Sequence, residues 1–431
     1  MNMKIGTTFF FLGITLFTFG IFSQPDTELS TLQKEAIQLY KTQNWEGLGG
    51  VLKRLGQMDH PMGVKLVVKI LRKTIHHEPC YDGALAGLSQ VKSSSARKLI
   101  EKLSIKSSTP WRVRILLIEV IEKWHGQEGW ESLVKNIHAS KEKVALSAIR
   151  TLAKKGVLRK EVIDNLIQRM KKLDKKKGVV WEDCRLALKA LLGVEFYSAR
   201  EYSSWVSLRG YKRSTSSQQK KDSRRATGER ITFFGMPLSC KRSVFIIDVS
   251  GSMKTIDPPE LDGSGHYGTT RRDAQGEPKL DLERMRIRRA KKELIRVIRK
   301  LKSSQFFNII AYSHDVWVWS KRGCKPANSS NKKSAIKFVQ SFKAEGVTVT
   351  DLALAKAYQT NPKAECFYLL SDGAPTRDGT NIIPTEQILE LVLKLDRFRK
   401  VKIHTLGFRG AKVDFMKALA NLTAGSYRDI R

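Results

Sequence analysis

Oxygen-bearing side chains gather where a predicted buried strand ends. The predicted strand that begins after Arg242, with its apolar residues at 244–247, leads into the run Asp-Val-Ser-Gly-Ser, which contains Asp248, Ser250 and Ser252. Asp248 would emerge at the top of the strand, with the two serines on the turn beyond it. Alternate residues of a tight loop can point the same way, so one carboxylate and two hydroxyls would converge. Hard oxygen ligands in an incomplete shell suit Mg²⁺, which requires octahedral geometry and usually keeps some water.

A second carboxylate follows another apolar run in the same manner. The motif Ser-Asp-Gly ends at Gly373 and places Asp372 as the first motif places Asp248. Between the two motifs, Thr348 stands just before a helical pattern. Ligands of parallel α/β sheets bind at the carboxyl ends of the strands. The polar motifs therefore fall where such a sheet would form a binding site.

The frame that would position these side chains is predicted by an alternation of strands and helices over residues 231–431. Short, bulky apolar runs suit buried parallel strands, and four of them occur here, at 243–247, 306–312, 366–370 and 401–406. With helical patterns between them, they predict a doubly wound α/β domain with a mainly parallel sheet covered on both faces. The basic cluster from Arg284 to Lys292 is interpreted as the wet side of an amphipathic helix, although the same face would also suit anionic partners.

Asp-x-Ser-x-Ser, then a Thr before a helix, then Ser-Asp-Gly after a strand resembles the von Willebrand factor A family. The resemblance covers the chain from Phe233 to its end, and the family's metal-ion-dependent adhesion site falls on Asp248, Ser250, Ser252, Thr348 and Asp372. It implies that the two serines bind the metal directly, that Thr348 joins in some ligation states, and that the two aspartates act largely through water. An acidic group of a partner would complete the shell. The implied function is metal-bridged binding, through Mg²⁺ or alternatively Mn²⁺ or Ca²⁺.

Two departures from the family pattern lie near the predicted site. Val347 stands where the family often has the second Gly of Gly-Gly-Thr, and Thr350 lies two residues beyond Thr348, so this loop would have a different backbone. The stretch 254–281, rich in Asp, Gly, Pro and Arg, separates the first motif from its helix. We expect it beside the metal rim, where it would shape partner choice or partly cover the site.

A different pattern, helical throughout, occupies residues 28–209. Apolar residues recur at helical spacing, and two of the predicted helices are 142–154 and 160–173. Helix pairs of this kind cannot bury their apolar stripes alone and tend to stack, so the region resembles HEAT or armadillo repeats. An irregular helical bundle remains an equal alternative. Residues 210–230, rich in Lys, Arg, Ser, Thr and Gln, are predicted to form a flexible basic linker.

The first 23 residues indicate export. Lys4 precedes an apolar run from Gly6 to Phe22, and Ser23 stands at the break before polar sequence, as in a secretory signal. Ile21 lies three residues before that break, where efficient cleavage sites have a small residue. Cleavage and retention as an N-terminal membrane anchor therefore both stay open. The expected location is periplasmic or extracellular.

Composition indicates a globular chain of two or three domains with an excess of positive charge. There are 78 Lys and Arg against 42 Asp and Glu, a net charge of +36, which attracts anionic polymers in general. Five widely spaced cysteines contain no CxxC pair, which excludes a zinc ribbon and argues against a disulfide scaffold. Cys366 is interpreted as a core residue. In an exported chain the odd number requires a free thiol or an intermolecular bridge.

These features bear on three classes of function. The first is an exported interaction protein that binds a carboxylate of its partner through Mg²⁺. The alternative is an RNA-binding protein, because helical repeats followed by an A domain are also the arrangement of the Ro ribonucleoprotein family. Catalysis is not expected, since the sequence has neither a phosphate-cradling Gly-Lys loop nor a Ser/His/Asp set.

Overall fold

The computed structural model describes residues 25–214, 231–258 and 282–430. The predicted signal or anchor at residues 1–23, most of the predicted linker and most of the 254–281 stretch lie outside these ranges. Among the helices of the described ranges, none is both long and apolar enough to cross a membrane.

An all-helical region comes first, as the sequence pattern predicts. The two helices predicted at 142–154 and 160–173 are confirmed at those bounds. In the described residues the region comprises α1 Pro25–Lys41, α2 Trp45–Gln57, α3 Pro61–Thr74, α4 Glu78–Leu88, α5 Ser94–Ile105, α6 Trp111–Lys123, α7 Trp130–Ile137, α8 Glu142–Lys154, α9 Lys160–Leu173, α10 Val179–Leu192 and α11 Ala199–Arg209.

The chain forms two compact units that divide between Ile100 and Glu101. In the first unit, α2 and α4 cross in close backbone contact, because a Cβ on Gly83 would lie 2.0 Å from the carbonyl oxygen of Gly49. The second unit contains α6–α11 together with the strands that follow.

The α/β part of the second unit contains nine strands and five α-helices in the described residues. Its strands are β1 Thr232–Phe233, β2 Met236–Pro237, β3 Arg242–Asp248, β4 Phe306–Tyr312, β5 Val316–Val318, β6 Lys325–Pro326, β7 Cys366–Ser371, β8 Lys402–Phe408 and β9 Tyr427–Ile430. Its helices are α12 Arg286–Lys300, α13 Ser329–Gln340, α14 Thr350–Thr360, α15 Thr385–Asp396 and α16 Val413–Leu422.

The main sheet has the order β5-β4-β3-β7-β8-β9, with β6 also paired to β4. The pairs β3–β4, β3–β7, β7–β8 and β8–β9 are parallel, whereas β5 and β6 run antiparallel to β4. A doubly wound, mainly parallel α/β domain after an all-helical region is thereby confirmed. The four predicted strands are the central ones, and each runs within two residues of its predicted bounds.

Successive residues of each strand point to opposite faces of the sheet, and side chains pack against both faces. One face carries Val244 and Ile246, which pack in a buried cluster with residues of α14, α15 and α16. On the other face the rings of Phe245 and Tyr368 stack 5.5 Å apart, and Phe233 of the β1–β2 hairpin packs on both. Because the central strands are buried on both faces, the strand ends that carry the polar motifs are held in defined positions.

A disulfide joins Cys240, just before β3, to Cys366 at the start of β7. Cys366 is fully buried, as predicted, and its bonding to Cys240 is an additional finding. Cys80, Cys184 and Cys324 are free thiols, in line with the odd number of cysteines.

A buried ionic cluster joins α10 to β8. Lys402 of β8 has no exposed side-chain surface, and its Nζ is ion-paired with Asp183 of α10. The other carboxylate oxygen of Asp183 accepts a hydrogen bond of 2.7 Å from Nε of Arg150. Burial alone would raise the pKa of Asp183, but the charges of Arg150 and Lys402 hold it below its ordinary value. These ion pairs therefore connect α10 to the start of β8.

Candidate functional site

Two adjacent parallel strands bring the two predicted aspartates to one edge of the sheet. In the register of β3 and β7, Ile247 is opposite Leu370. Asp248 is the last residue of β3, and Asp372 follows directly after β7. Because parallel strands end at the same edge, both carboxyl groups lie at the carboxyl end of the sheet, as predicted.

Asp248 is completely buried and is held through both of its oxygens. Its Oδ1 accepts a hydrogen bond of 2.9 Å from the backbone N–H of Ser250, and its Oδ2 accepts one of 2.7 Å from the hydroxyl of Ser371. The short loop after β3 therefore turns back on its own aspartate. This turn fixes where the two serine hydroxyls point.

A chain of hydrogen bonds connects the two motifs. Oγ of Ser250 lies 3.1 Å from Oγ of Ser252, and the Ser252 hydroxyl donates a bond of 2.7 Å to Oδ1 of Asp372. Ser250 is buried, whereas Ser252 is exposed. The site therefore opens to solvent on the side of Ser252.

Thr348 faces the same space from the loop before α14. A Cβ placed on Gly373 would lie 3.9 Å from Oγ of Ser252 and 4.0 Å from Oγ1 of Thr348. The backbone N–H of Gly251 donates to the carbonyl of Gly346, 2.9 Å away, which ties this loop to the first motif. All five residues predicted for the site are thus brought to one edge of the sheet.

Further residues extend the hydrogen-bonded network of the site. Besides Ser371, these are Arg286, the first residue of α12, whose Nη1 donates a hydrogen bond of 2.8 Å to Oδ2 of Asp372, and Asp257, which accepts one of 2.8 Å from Nε of Arg286. Arg286 is buried, so assigning the whole basic cluster to the wet side of a helix was wrong for this residue. Its spacing offered a signal, because it stands four residues before Ala290 in the apolar stripe of α12.

The electrostatics of the site favour a bound cation next to Asp248. Burial, and secondarily the charge of Asp372, raise the pKa of Asp248 from 3.8 to about 7, although the hydrogen bonds from Ser250 and Ser371 act against the rise. A cation beside the carboxyl group would offset both effects. The same pKa predicts how stability depends on pH.

In EDTA, the free energy of unfolding should contain a component that falls as pH rises from 3.8 to about 7. Over this window the folded chain keeps the Asp248 proton while the unfolded chain releases it, so a higher pH favours unfolding. Asp248→Asn removes this component. Urea unfolding of both proteins at pH 4.5 and pH 7.5 measures it as the difference between their pH dependences. Equal pH dependences would contradict the raised pKa.

The donor set fits a hard divalent cation. It combines two carboxylates with the hydroxyls of two serines and one threonine, and one of the carboxylates has a raised pKa in the absence of a cation. Within the described ranges there is no cluster of three or more His, Cys, Asp or Glu residues suited to a metal. A cation here would therefore depend on hydroxyl and water ligands, as Mg²⁺ sites commonly do.

Comparisons with known proteins gave distant structural likenesses alone. No protein-family model and no curated protein matches the chain. Similar solved structures include a von Willebrand factor type A protein from Catenulispora acidiphila, with 20% identity over 44% of this chain and 38% of that one, and a TM-score of 0.33. The PilB minor pilin from Streptococcus sanguinis has 14% identity over 46% of this chain and 58% of that one, with a TM-score of 0.27. Proximal thread matrix protein 1 from the mussel byssus has 13% identity over 57% and 52%, with a TM-score of 0.30.

The chain thus covers less than two thirds of each of these proteins. Its fold assignment rests on its own strand order and its own helices.

Proposed function

We propose that this chain is an interaction protein that binds Mg²⁺ at the carboxyl edge of its sheet and, through the cation, an acidic group of a partner. The observation that carries the proposal is the hydrogen-bonded chain from Asp248 through Ser250 and Ser252 to Asp372. Such a chain holds oxygen donors of two strand ends in one place before any ligand arrives. Preorganised hard donors with room for water are what Mg²⁺ requires.

The von Willebrand factor A resemblance implies a role in metal binding for each of the five residues. Ser250 and Ser252 would bind the cation directly, Thr348 would join them in some states, and Asp248 and Asp372 would hold the cation's waters. The cation would supply an open position for a carboxylate of the partner. The exposure of Ser252 supports access from that side.

The proposed function is recognition and not catalysis. Around the site, the described hydrogen bonds of Asp248 and Asp372 go to serines, to backbone and to Arg286. Each carboxylate thus accepts hydrogen bonds that hold the neighbouring side chains and loops in position. This arrangement supports a role for both carboxylates in positioning a cation and its waters.

Export is part of the proposal. It is supported by the apolar run from Gly6 to Phe22 and by the disulfide between Cys240 and Cys366, because disulfides persist in oxidising compartments. Finding the mature N-terminus near Gln24 in a periplasmic or secreted fraction would support export. A cytoplasmic chain that binds RNA with a steep salt dependence would instead support the Ro-like alternative.

Isothermal titration of Mg²⁺ into the full chain tests the metal site. We expect saturable binding that EDTA reverses and that raises the melting temperature. Mn²⁺ and Ca²⁺ are titrated in parallel, since either ion would satisfy the same oxygen set. If none of the three cations binds, the proposed function is wrong.

A further inference from the structure

Arg286 bridges two buried carboxylates at the edge of the candidate site. Its Nη1 donates to Asp372 and its Nε donates to Asp257, each at 2.8 Å. The side chain of Asp372 has no exposed surface, and that of Asp257 is 4% exposed. These are charge-assisted bonds in a largely dry environment, where a guanidinium is always protonated.

The position of Arg286 is fixed by its surroundings. Its backbone N–H donates to the carbonyl of Thr255 at 3.0 Å. Asp257 is held in turn by Nη1 of Arg289, at 2.7 Å from its other carboxylate oxygen. Arg284 contributes a further bond of 2.8 Å from its Nε to the backbone carbonyl of Asp257. The guanidinium therefore does not need to move or reorder to reach Asp372.

Asp372 consequently has two different donors. The hydroxyl of Ser252 occupies Oδ1, and the cationic Arg286 occupies Oδ2. The first donor is one of the proposed metal ligands, whereas the second carries a positive charge of its own. A divalent cation near Ser252 would therefore share the carboxylate of Asp372 with the positively charged guanidinium of Arg286.

We propose that Arg286 is a built-in counter-cation of Asp372 that stabilises the metal-free site and weakens its affinity for the divalent ion. This inference rests on the proposed function, which it deepens by naming what regulates the site. Two positive groups close to one carboxylate repel each other, and little water is present to screen them. The excess positive charge favours the binding of a carboxylate of the partner. The cation and the partner therefore strengthen each other's binding.

The test compares Arg286→Gln with Arg289→Gln in the full chain. Arg289 lies on the same helix, carries the same charge, and donates a bond of 2.7 Å from its Nη1 to the other carboxylate oxygen of Asp257. We expect Arg286→Gln to bind Mg²⁺ about tenfold more tightly by titration calorimetry and to melt at a lower temperature in EDTA. Arg289→Gln should keep an Mg²⁺ affinity within about twofold of the unmodified chain.

A double-mutant cycle of Arg286→Gln and Asp372→Asn in EDTA tests the pairing without any metal. Non-additive losses of stability are expected, and additive losses would overturn the pairing. Unchanged or weaker Mg²⁺ binding by Arg286→Gln would overturn the role of Arg286 in metal affinity. If neither the unmodified chain nor Arg286→Gln binds Mg²⁺, Mn²⁺ or Ca²⁺, that role falls together with the proposed function, while the cycle in EDTA still reports the pairing.

If Arg286→Gln does not fold, Arg286→Lys replaces it, because a lysine keeps the charge and loses the two-pronged contact. Its expected Mg²⁺ affinity lies within about threefold of the unmodified chain. A tenfold gain for Arg286→Lys would show that geometry and not charge limits metal binding, and would overturn the proposal.

Discussion

Asp248→Asn should weaken Mg²⁺ binding by about 10- to 100-fold, the loss typical of removing a group that orients a metal's ligands and waters. The substitution keeps the size of the side chain and the acceptor for the Ser250 N–H, but it removes the negative charge next to the cation. It should not unfold the chain, since burial already raises the pKa of Asp248 to about 7 and so favours a neutral group at this position. Titration calorimetry with Mg²⁺, together with the melting temperature in EDTA, separates the two effects.

A matched control is available at the same end of the sheet. Asp315 lies in the turn between β4 and β5, is exposed, and accepts a hydrogen bond from the N–H of Val316. Asp315→Asn removes the same charge and should leave Mg²⁺ affinity within about twofold, because exposed charges are screened. If both variants lost affinity equally, the effect would be one of general electrostatics. If Asp248→Asn bound Mg²⁺ normally, the proposed site would be in the wrong place.

The positions of the strand ends could be predicted because they depend on local pattern. A buried strand needs a continuous run of bulky apolar residues, and the first polar residue after that run, Asp248, marks where β3 ends. In the same way, Ser371 marks the end of β7, and Asp372 follows it directly. The helices at 142–154 and 160–173 followed from periodicity in the same way.

Contacts between distant parts of the chain could not be predicted on this basis. Cys240 and Cys366 stand 126 residues apart, and their bond requires β3 and β7 to be neighbours in the sheet. Arg286 looked like one of many surface cations, because nothing in its own helix shows that a carboxylate 86 residues away will pair with it. Long-range polar partners of this kind depend on topology, which the pattern of apolar residues specifies only in outline.

The buried ion pair between Asp183 and Lys402 illustrates the same point and leads to the largest expected loss of stability. Asp183→Ala should lower the free energy of unfolding by about 3–5 kcal/mol, because it leaves the ammonium of Lys402 buried with no compensating charge. Arg150 loses its carboxylate as well, but its side chain is 17% exposed and can be partly hydrated. Urea unfolding at neutral pH measures the loss, and Mg²⁺ affinity should stay unchanged in the folded variant.

Two companion variants separate the cost of an unpaired charge from the value of the ion pair. Lys402→Met should cost less than Asp183→Ala, because Asp183 keeps its bond of 2.7 Å to Arg150. The double variant Asp183→Leu with Lys402→Met removes both charges and fills the space with apolar groups, so it should also be milder than Asp183→Ala. If the double variant were the least stable of the three, the direct attraction between the two charges would outweigh the cost of burying them. A loss below about 1 kcal/mol for Asp183→Ala would mean that water reaches Lys402 and that the ion pair contributes little to the stability of the fold.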